Sequence, residues 1–306
     1  MITSSKLEKN TGIALALGYF DAMHLGHRKL IKTLLEEAKK RDLKTAVITF
    51  SQNPAGYFSD TPILNIQTQK DREKIIDDMG VDYMYELNFE NYKDMTAMEY
   101  LQNVLVEYFQ PKLIVAGYNH TLGADVKNAD FIKENESKFG YTAIIMPEFL
   151  YQGKEEVSSS IIRKHIEYGH LNATNALLGK NFAIRNSVIN GKKLATNLGC
   201  PTANLVWPDS IVKLPYGVYY GYSKVDGKII PALIAWGLKP TLATEKEEKL
   251  EAHLYDFDKN IYGKIITLIF VKKVRDEQHF ASAQELKNQI MEDKADFYRW
   301  AKAKFG

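Results

Sequence analysis

The order of apolar and polar positions divides the chain into two unlike parts. Up to about residue 175, strand-like and helix-like patterns alternate. The run "GIALALGYF" (12–20) is apolar throughout, as a strand buried on both faces must be. In "RKLIKTLLEEAKKRD" (28–42), Leu30, Ile31, Leu34, Leu35 and Ala38 fall on one face at helical spacing. "KTAVITF" (44–50) predicts the next strand, and "DREKIIDDMG" (71–80) a helix closed by Gly80. The segments "VDYMYEL", "AMEYLQNVLVEYF", "PKLIVAGY", "ADFIKENESKFG" and "YTAIIMPEF" continue the alternation. Repeated strand–helix–strand units predict an α/β domain: a doubly wound parallel sheet with helices on both faces. Ligands bind such sheets outside the carboxyl ends of the strands.

After Gly179 the period changes. "NFAIRNSVIN", "TANLVW", "GVYYGYSKVDGKIIPALIAWG", "KLEAHLYDF" and "KIITLIFVKKVR" are short, mostly alternating, and closely spaced. Asp226-Gly227 inside the third is a hairpin signal. Together they predict a small antiparallel β-barrel. A single helix follows, with Ser282 as N-cap and Glu285 as its capping-box partner. The expected domains are 1–179 and 180–306, with no internal repeat and no low-complexity segment.

Composition narrows the class. Of 306 residues, 45% are hydrophobic and 25% charged, the balance of a globular protein with a full core. A net charge of +2 does not argue for a nucleic-acid or membrane surface, so small molecules are the expected partners. Cys200 is the single cysteine, which rules out an internal disulfide and any CxxC metal site. The start "MITSSKLEKNT" is polar and the apolar run after it is too short to span a membrane, so the cytoplasm is the expected location. A monomer or weak homo-oligomer is expected.

Three stretches carry candidate chemistry. In "FDAMHLGH" (20–27), His24 and His27 stand three apart where a strand meets a helix. Free N–H groups and the helix dipole make that turn an anion site, Gly26 lets a phosphate approach the backbone, and imidazolium donors would stabilise phosphoryl charge. The simpler alternative makes Asp21 an ordinary N-cap. In "NLGCPTANL" (197–205), Thr202 and Asn204 point the same way if the segment is extended, offering hard oxygens suited to Mg²⁺. The alternative there is a side-chain turn after Pro201. In "KLEAHLYDF" (249–257), Leu250, Ala252 and Leu254 alternate with Glu251, His253 and Tyr255, so Glu251 shares a polar and aromatic face and suits a general base. Arg163 offers a permanent charge and a fork that matches phosphate oxygens. No GxxxxGK[ST], GxGxxG or HExxH is present, and His165 and His170, five apart, are a poor pair for a metal site on one helix.

The motifs and their order resemble those of the bacterial bifunctional riboflavin kinase/FAD synthetase family. Phe20, Asp21, His24, Gly26 and His27 resemble the family's phenylalanine–aspartate pair followed by HxGH. "VITFSQNPAGYF" with Pro54, "GYNHTLG" (117–123), "VSSSIIRKHI" (157–166) and "ALLGKNF" follow in the family's order. In the second half, "NLGCPTANL" resembles the PTAN motif of riboflavin kinases, followed by "LPYGVYYGY", "GLKPTL", "LEAHLYDFDKNIYGK" and "VRDEQHF". The resemblance implies two reactions: ATP and riboflavin to FMN, then ATP and FMN to FAD and pyrophosphate. It implies Glu251, His24, His27 and Arg163 as catalytic residues, and Mg²⁺ at Thr202 and Asn204. It places Gly18, Phe20, Asp21, Gly26, Asn119, Ser158, Ser159, Ser160, Gly199, Pro201 and Arg275 at nucleotide or flavin contacts. The chain departs from the family at Ala22, where glycine is usual, and at Asn119 and His120, where an acidic–aromatic pair is usual. Leu122 and Cys200 stand at usual aromatics, and Ala195-Thr196 at a Gly-Arg pair. Those departures keep two narrower expectations open: one activity alone, FAD synthetase, or a flavin-binding regulatory protein of weak catalysis.

Overall fold

The computed structural model describes residues 1–7, 9, 12–190, 202–238 and 248–305. It divides into two compact units, Met1–Ile161 and Ile162–Gly306.

The first unit is built on a parallel sheet. Its strands are β1 (Ile2–Ser4), β2 (Ala14–Leu17), β3 (Thr45–Phe50), β4 (Tyr83–Leu87), β5 (Leu113–Gly117) and β6 (Thr142–Met146), in the order β1-β4-β3-β2-β5-β6. Every residue of β2 is buried, which is why its sequence is apolar without alternation. Helix α1 (Leu25–Lys40) covers one face, burying Leu30, Ile31, Leu34 and Ala38 against Ala14, Ala16, Val47 and Val115. The other face is covered by the helical run 97–109, which includes a π-helical stretch, Tyr100–Val106. It packs Leu101, Leu105 and Phe109 on Leu15, Ile48 and Ile114. Helix α2 (Gln69–Asp78) ends before Gly80, whose φ of 90° lets the chain turn into β4. Strand β1 lies in the polar start, where three residues are too few to show a period and Ile2 is 63% exposed.

Helix α3 (Ser159–Glu167) spans the division between the units, and α4 (Leu171–Leu178) follows it. Helix α4 belongs with the second unit because Asn175 hydrogen-bonds both the Phe270 carbonyl and the Phe182 N–H. The contact division therefore falls before the change of sequence period at Gly179.

The second unit is a six-stranded antiparallel sheet. Its strands are β7 (Ala183–Ser187), β8 (Ala203–Leu205), β9 (Gly217–Val225), β10 (Lys228–Leu238), β11 (Glu248–Leu254) and β12 (Ile265–Asp276), in the order β7-β12-β9-β10-β11-β8. An isolated bridge from Ile189, just past β7, to Asn204 on β8 draws the two edges together into a nearly closed barrel. Asp226 and Gly227, with φ of 48° and 78°, form the two-residue turn that pairs Val225 with Lys228. Trp207, Trp236, Phe182 and Phe270 pack in its core. Helix α5 (Ala283–Phe305) closes the chain. Ser282 Oγ accepts from Glu285 N at 3.2 Å, as its capping role requires, but the Glu285 carboxylate reaches back to Ala281 N rather than Ser282 N. No helix among the described residues is long and apolar enough to cross a membrane.

Candidate functional site

In the first unit the chain leaves β2 through a turn of unusual backbone. Phe20, Ala22 and Met23 have φ of 57°, 73° and 45°, the left-handed region that costs a non-glycine residue about 1–2 kcal/mol. This turn delivers His24 to the N-cap of α1, with Nδ1 accepting from His27 N at 3.2 Å. His24, not Asp21, is therefore the cap, which corrects the simpler reading of Asp21. The Asp21 carboxylate instead accepts from Ile66 N at 2.9 Å, and its carbonyl accepts from Ser159 Oγ at 3.1 Å. The rings of His24 and His27 stack with centroids 3.6 Å apart. Phe20 sets its edge on His27 from below, and a Cβ on Gly18 would stand 3.0 Å from the Phe20 ring.

Burial changes the charge expected of this pair. It pulls His24 down to about 4. His27 lies well below the usual histidine value, first because it is buried and then because His24 is beside it; the nearby Asp21 carbonyl works the other way. Both rings are neutral at neutral pH, so they are not the imidazolium donors that the sequence suggested. With His24 Nδ1 accepting a hydrogen bond, the ring proton sits on Nε2, a neutral donor.

A cavity of about 300 Å³ opens over this turn. It is lined by His24, Gly26, His27, Asn119, Ser158, Ser159 and Ser160, drawn from three separate stretches of chain. A Cβ on Gly26 would come within 3.2 Å of His24 Cε1, so glycine keeps that wall clear. Gly18, Phe20 and Asp21 are not on the wall. They support the turn from behind, and Asp21 also borders a second, much smaller hollow beside Arg72. Arg163 lies further along α3, beyond the division between the units.

In the second unit, β8 pairs antiparallel with β11, so that Asn204 stands opposite Glu251 and Ala203 opposite Ala252. "TAN" is extended, as the Mg²⁺ reading needs and the turn reading does not. Thr202 Oγ1 lies 3.3 Å from Glu251 Oε1, and Asn204 Nδ2 donates to the Thr202 carbonyl at 3.4 Å, which leaves Asn204 Oδ1 to accept. Leu250, Ala252 and Leu254 are buried, as the alternation predicts. His253 departs from the expected polar face. It is buried too, with Nε2 3.2 Å from Tyr298 Oη and its ring stacked on that tyrosine of α5. Arg275 makes a two-pronged ion pair with Asp293 and so ties β12 to α5. Gly199 and Pro201, with Ala195, Thr196 and Cys200, lie outside the described residues. Among the described residues no group of three or more His, Cys, Asp or Glu side chains could hold a metal ion. His165 and His170 do approach, Nδ1 to Nδ1 at 3.4 Å, because His170 lies past the end of α3.

With both geometries in hand, comparison with known proteins is decisive. A family model described as FAD synthetase matches residues 6–161, and one described as riboflavin kinase matches 178–301. The curated bifunctional riboflavin kinase/FMN adenylyltransferase of Bacillus subtilis is 30% identical over 300 residues, covering 96% of this chain and 94% of that protein. The chain belongs to the bifunctional riboflavin kinase/FMN adenylyltransferase family. The Escherichia coli K12 relative of that name is 31% identical over 287 residues, covering 92% of this chain and 90% of its own. A crystal structure named for a macrolide-efflux protein of Streptococcus pneumoniae is similar with a TM-score of 0.87 at 28% identity, covering 98% of this chain and 100% of that one.

Within this member of the riboflavin kinase/FMN adenylyltransferase family, several residues escaped the sequence reading, Glu148 and Phe149 of the first cavity among them. Lys29 lines the first cavity, and Lys249 Nζ stands 2.6 Å from Glu251 Oε1. Lys29 stands at an exposed polar position of α1, where helical spacing carries no sign of a site. Lys249 sits two residues before Glu251 on a strand, and that same-face spacing is the signal that would have found it.

Proposed function

We propose that this protein makes FAD from riboflavin in two ATP-dependent steps, the first in the barrel and the second in the α/β unit, with the functional boundary at 179/180. What carries the reading is that each family match falls on a half of the chain with its own assembled polar cluster. The supporting geometry is the cavity of His24, Gly26, His27 and Ser158–Ser160 in one half, and the Thr202–Asn204–Glu251 register in the other.

In the barrel, Glu251 takes the proton of the riboflavin 5′-hydroxyl as that oxygen attacks the γ-phosphorus of ATP, and ADP leaves. Thr202 Oγ1 and Asn204 Oδ1 are hard oxygens that fit Mg²⁺ carried in on the nucleotide. The ion would neutralise charge on the transferring phosphates. Arg275, Gly199 and Pro201 are assigned to flavin and nucleotide contacts.

In the α/β unit, an FMN phosphate oxygen attacks the α-phosphorus of ATP and pyrophosphate leaves. That nucleophile is already ionised, so no base is required. The amides at the start of α1, the Nε2 proton of His24, the ring of His27 and the hydroxyls of Ser158–Ser160 hold the phosphates in place. Lys29 supplies a fixed positive charge on the same wall and Asn119 faces the flavin side, while Arg163 is assigned to the triphosphate by the family's motif alone. Gly18, Phe20 and Asp21 shape the turn that carries these groups. The proposed place of action is the cytoplasm, on small-molecule substrates, as a monomer or weak homo-oligomer.

The test is incubation of purified protein with riboflavin, ATP and Mg²⁺, followed by chromatography. FMN should appear first and FAD after it. Arrest at FMN would leave only the barrel half standing. Unchanged riboflavin, together with FAD formed from supplied FMN, would leave only the other half. In the two-step reading, Asn204→Ala removes FMN formation and spares FAD formation from supplied FMN.

A further inference from the structure

We propose that Lys249 is a positioning residue for riboflavin phosphorylation: it holds the Glu251 carboxylate by Oε1 and leaves Oε2 to receive the proton of the attacking hydroxyl. This rests on the reading of Glu251 as the base.

Lys249 and Glu251 are two apart on β11, so their side chains leave the same face of the sheet. Nζ lies 2.6 Å from Oε1, with the two side chains 28% and 17% exposed. A fully solvated pair of this kind is worth about 0–1 kcal/mol and orders little. Here a second group grips the same atom, since Thr202 Oγ1 is 3.3 Å from Oε1. Among the described residues no hydrogen bond reaches Oε2. One oxygen is fixed twice and the other is left for chemistry.

The residues paired directly with Glu251 on the two neighbouring strands are uncharged: Asn204 on β8 and Ala235 on β10. Lys249 pairs with Gly237, where the Glu277 carboxylate occupies the space a side chain would need. That carboxylate accepts from Leu238 N at 2.8 Å. A cation at this place also answers an electrostatic problem. The base and the ATP phosphates are all anionic, and Lys249 offsets their repulsion as the nucleotide approaches. In the step itself the O5′–P bond forms, the bond from the γ-phosphorus to ADP breaks, and the proton passes from O5′ to Oε2. Lys249 touches none of the reacting atoms.

The experiment compares Lys249→Met, Lys249→Arg and Glu251→Gln in the full chain. The kcat and KM of FMN formation are measured, and FAD formation from supplied FMN serves as the folding control. Lys249→Met should lose about tenfold in kcat, a fraction of the ~10²–10⁴ that a general base supplies, with KM values little changed. Lys249→Arg should restore most of the lost kcat, and Glu251→Gln should abolish FMN formation. Unchanged kcat in Lys249→Met, with Glu251→Gln inactive, would overturn the role of Lys249 and leave the base standing. A rise in KM for ATP alone would overturn it too, since it would assign Lys249 to the nucleotide. Full FMN formation by Glu251→Gln would overturn the reading of the base itself.

Discussion

The α/β unit and the barrel face the same charged nucleotide with different materials. In the first, the wall is a helix start, two uncharged imidazoles and three serines, with Lys29 and Glu148 as its charged residues. In the second, the cluster is a carboxylate, an ammonium and two neutral oxygens on adjacent strands. The proposed nucleophiles account for the difference. An FMN phosphate arrives ionised and needs only to be held, which backbone amides do without a titrating group. A riboflavin hydroxyl must lose a proton, so a carboxylate has to be present and kept from repelling ATP. The barrel sets a base where a proton must move, and the α/β unit needs donors rather than a base.

The sharpest way to break this contrast is to remove the imidazoles. Replacing both His24 and His27 by alanine should lower FAD formation from supplied FMN by about 10²–10³, the scale of losing oriented donors, and leave FMN formation unchanged. Separate assays of the two half-reactions check it. Loss of both activities in a folded variant would mean that the sites are not independent.

The next largest effect is on stability. Because burial holds His24 neutral in the fold, the unfolded chain binds a proton that the folded one refuses as pH falls below 6.5. Stability is therefore fully present above about 6.5 and is lost as pH falls towards about 4. His24 alone accounts for roughly 3 kcal/mol of this loss, at about 1.4 kcal/mol per unit. Tryptophan separates the two units in such an experiment, since Trp207, Trp236 and Trp300 all lie in the barrel unit. Urea unfolding of the α/β unit, followed by hydrogen exchange at the α1 amides, should weaken steeply between pH 6.5 and 4, while tryptophan fluorescence should shift less. His24→Asn, which keeps a capping side chain, should flatten the α1 exchange curve.

How much of this was legible in the sequence differs between the units for physical reasons. Period alone placed β2, α1 and the barrel strands, because a buried strand must be apolar and a helix face must repeat. Alternation put Glu251 opposite the buried Leu250 and Ala252, and the pairing with Asn204 turned that face into a cluster. Two things were out of reach. The charge state of His24 and His27 depends on burial by distant segments, which local spacing does not carry. His253 follows the polar phase of β11 but is buried under α5, because packing by a helix far along the chain overrides the alternation.

A smaller effect should come from Lys29. Lys29→Ala should raise KM for ATP in FAD formation by about threefold to tenfold and leave kcat nearly unchanged, as loss of uniform electrostatic binding does. FMN formation is the control. A fall in kcat without a change in KM would move Lys29 from binding to the reacting phosphate.

The smallest effect tests the turn itself. Ala22 has φ of 73° and is fully buried, a conformation that glycine adopts freely and alanine does not. Ala22→Gly relieves about 1–2 kcal/mol of backbone strain. Against that stand roughly 0.4–1 kcal/mol of added freedom in the unfolded chain and about 0.8 kcal/mol for the buried methyl. The terms nearly cancel, so thermal unfolding should change by no more than about 1 kcal/mol, with the balance set by how tightly that methyl packs. Activity decides more than stability here. If alanine holds the turn in the shape that carries His24, glycine should leave FAD formation unchanged, since it can keep the same φ. A gain in FAD formation would show that the alanine methyl had been displacing His24 from its best position, and would place the cost of this substitution on the α/β site alone.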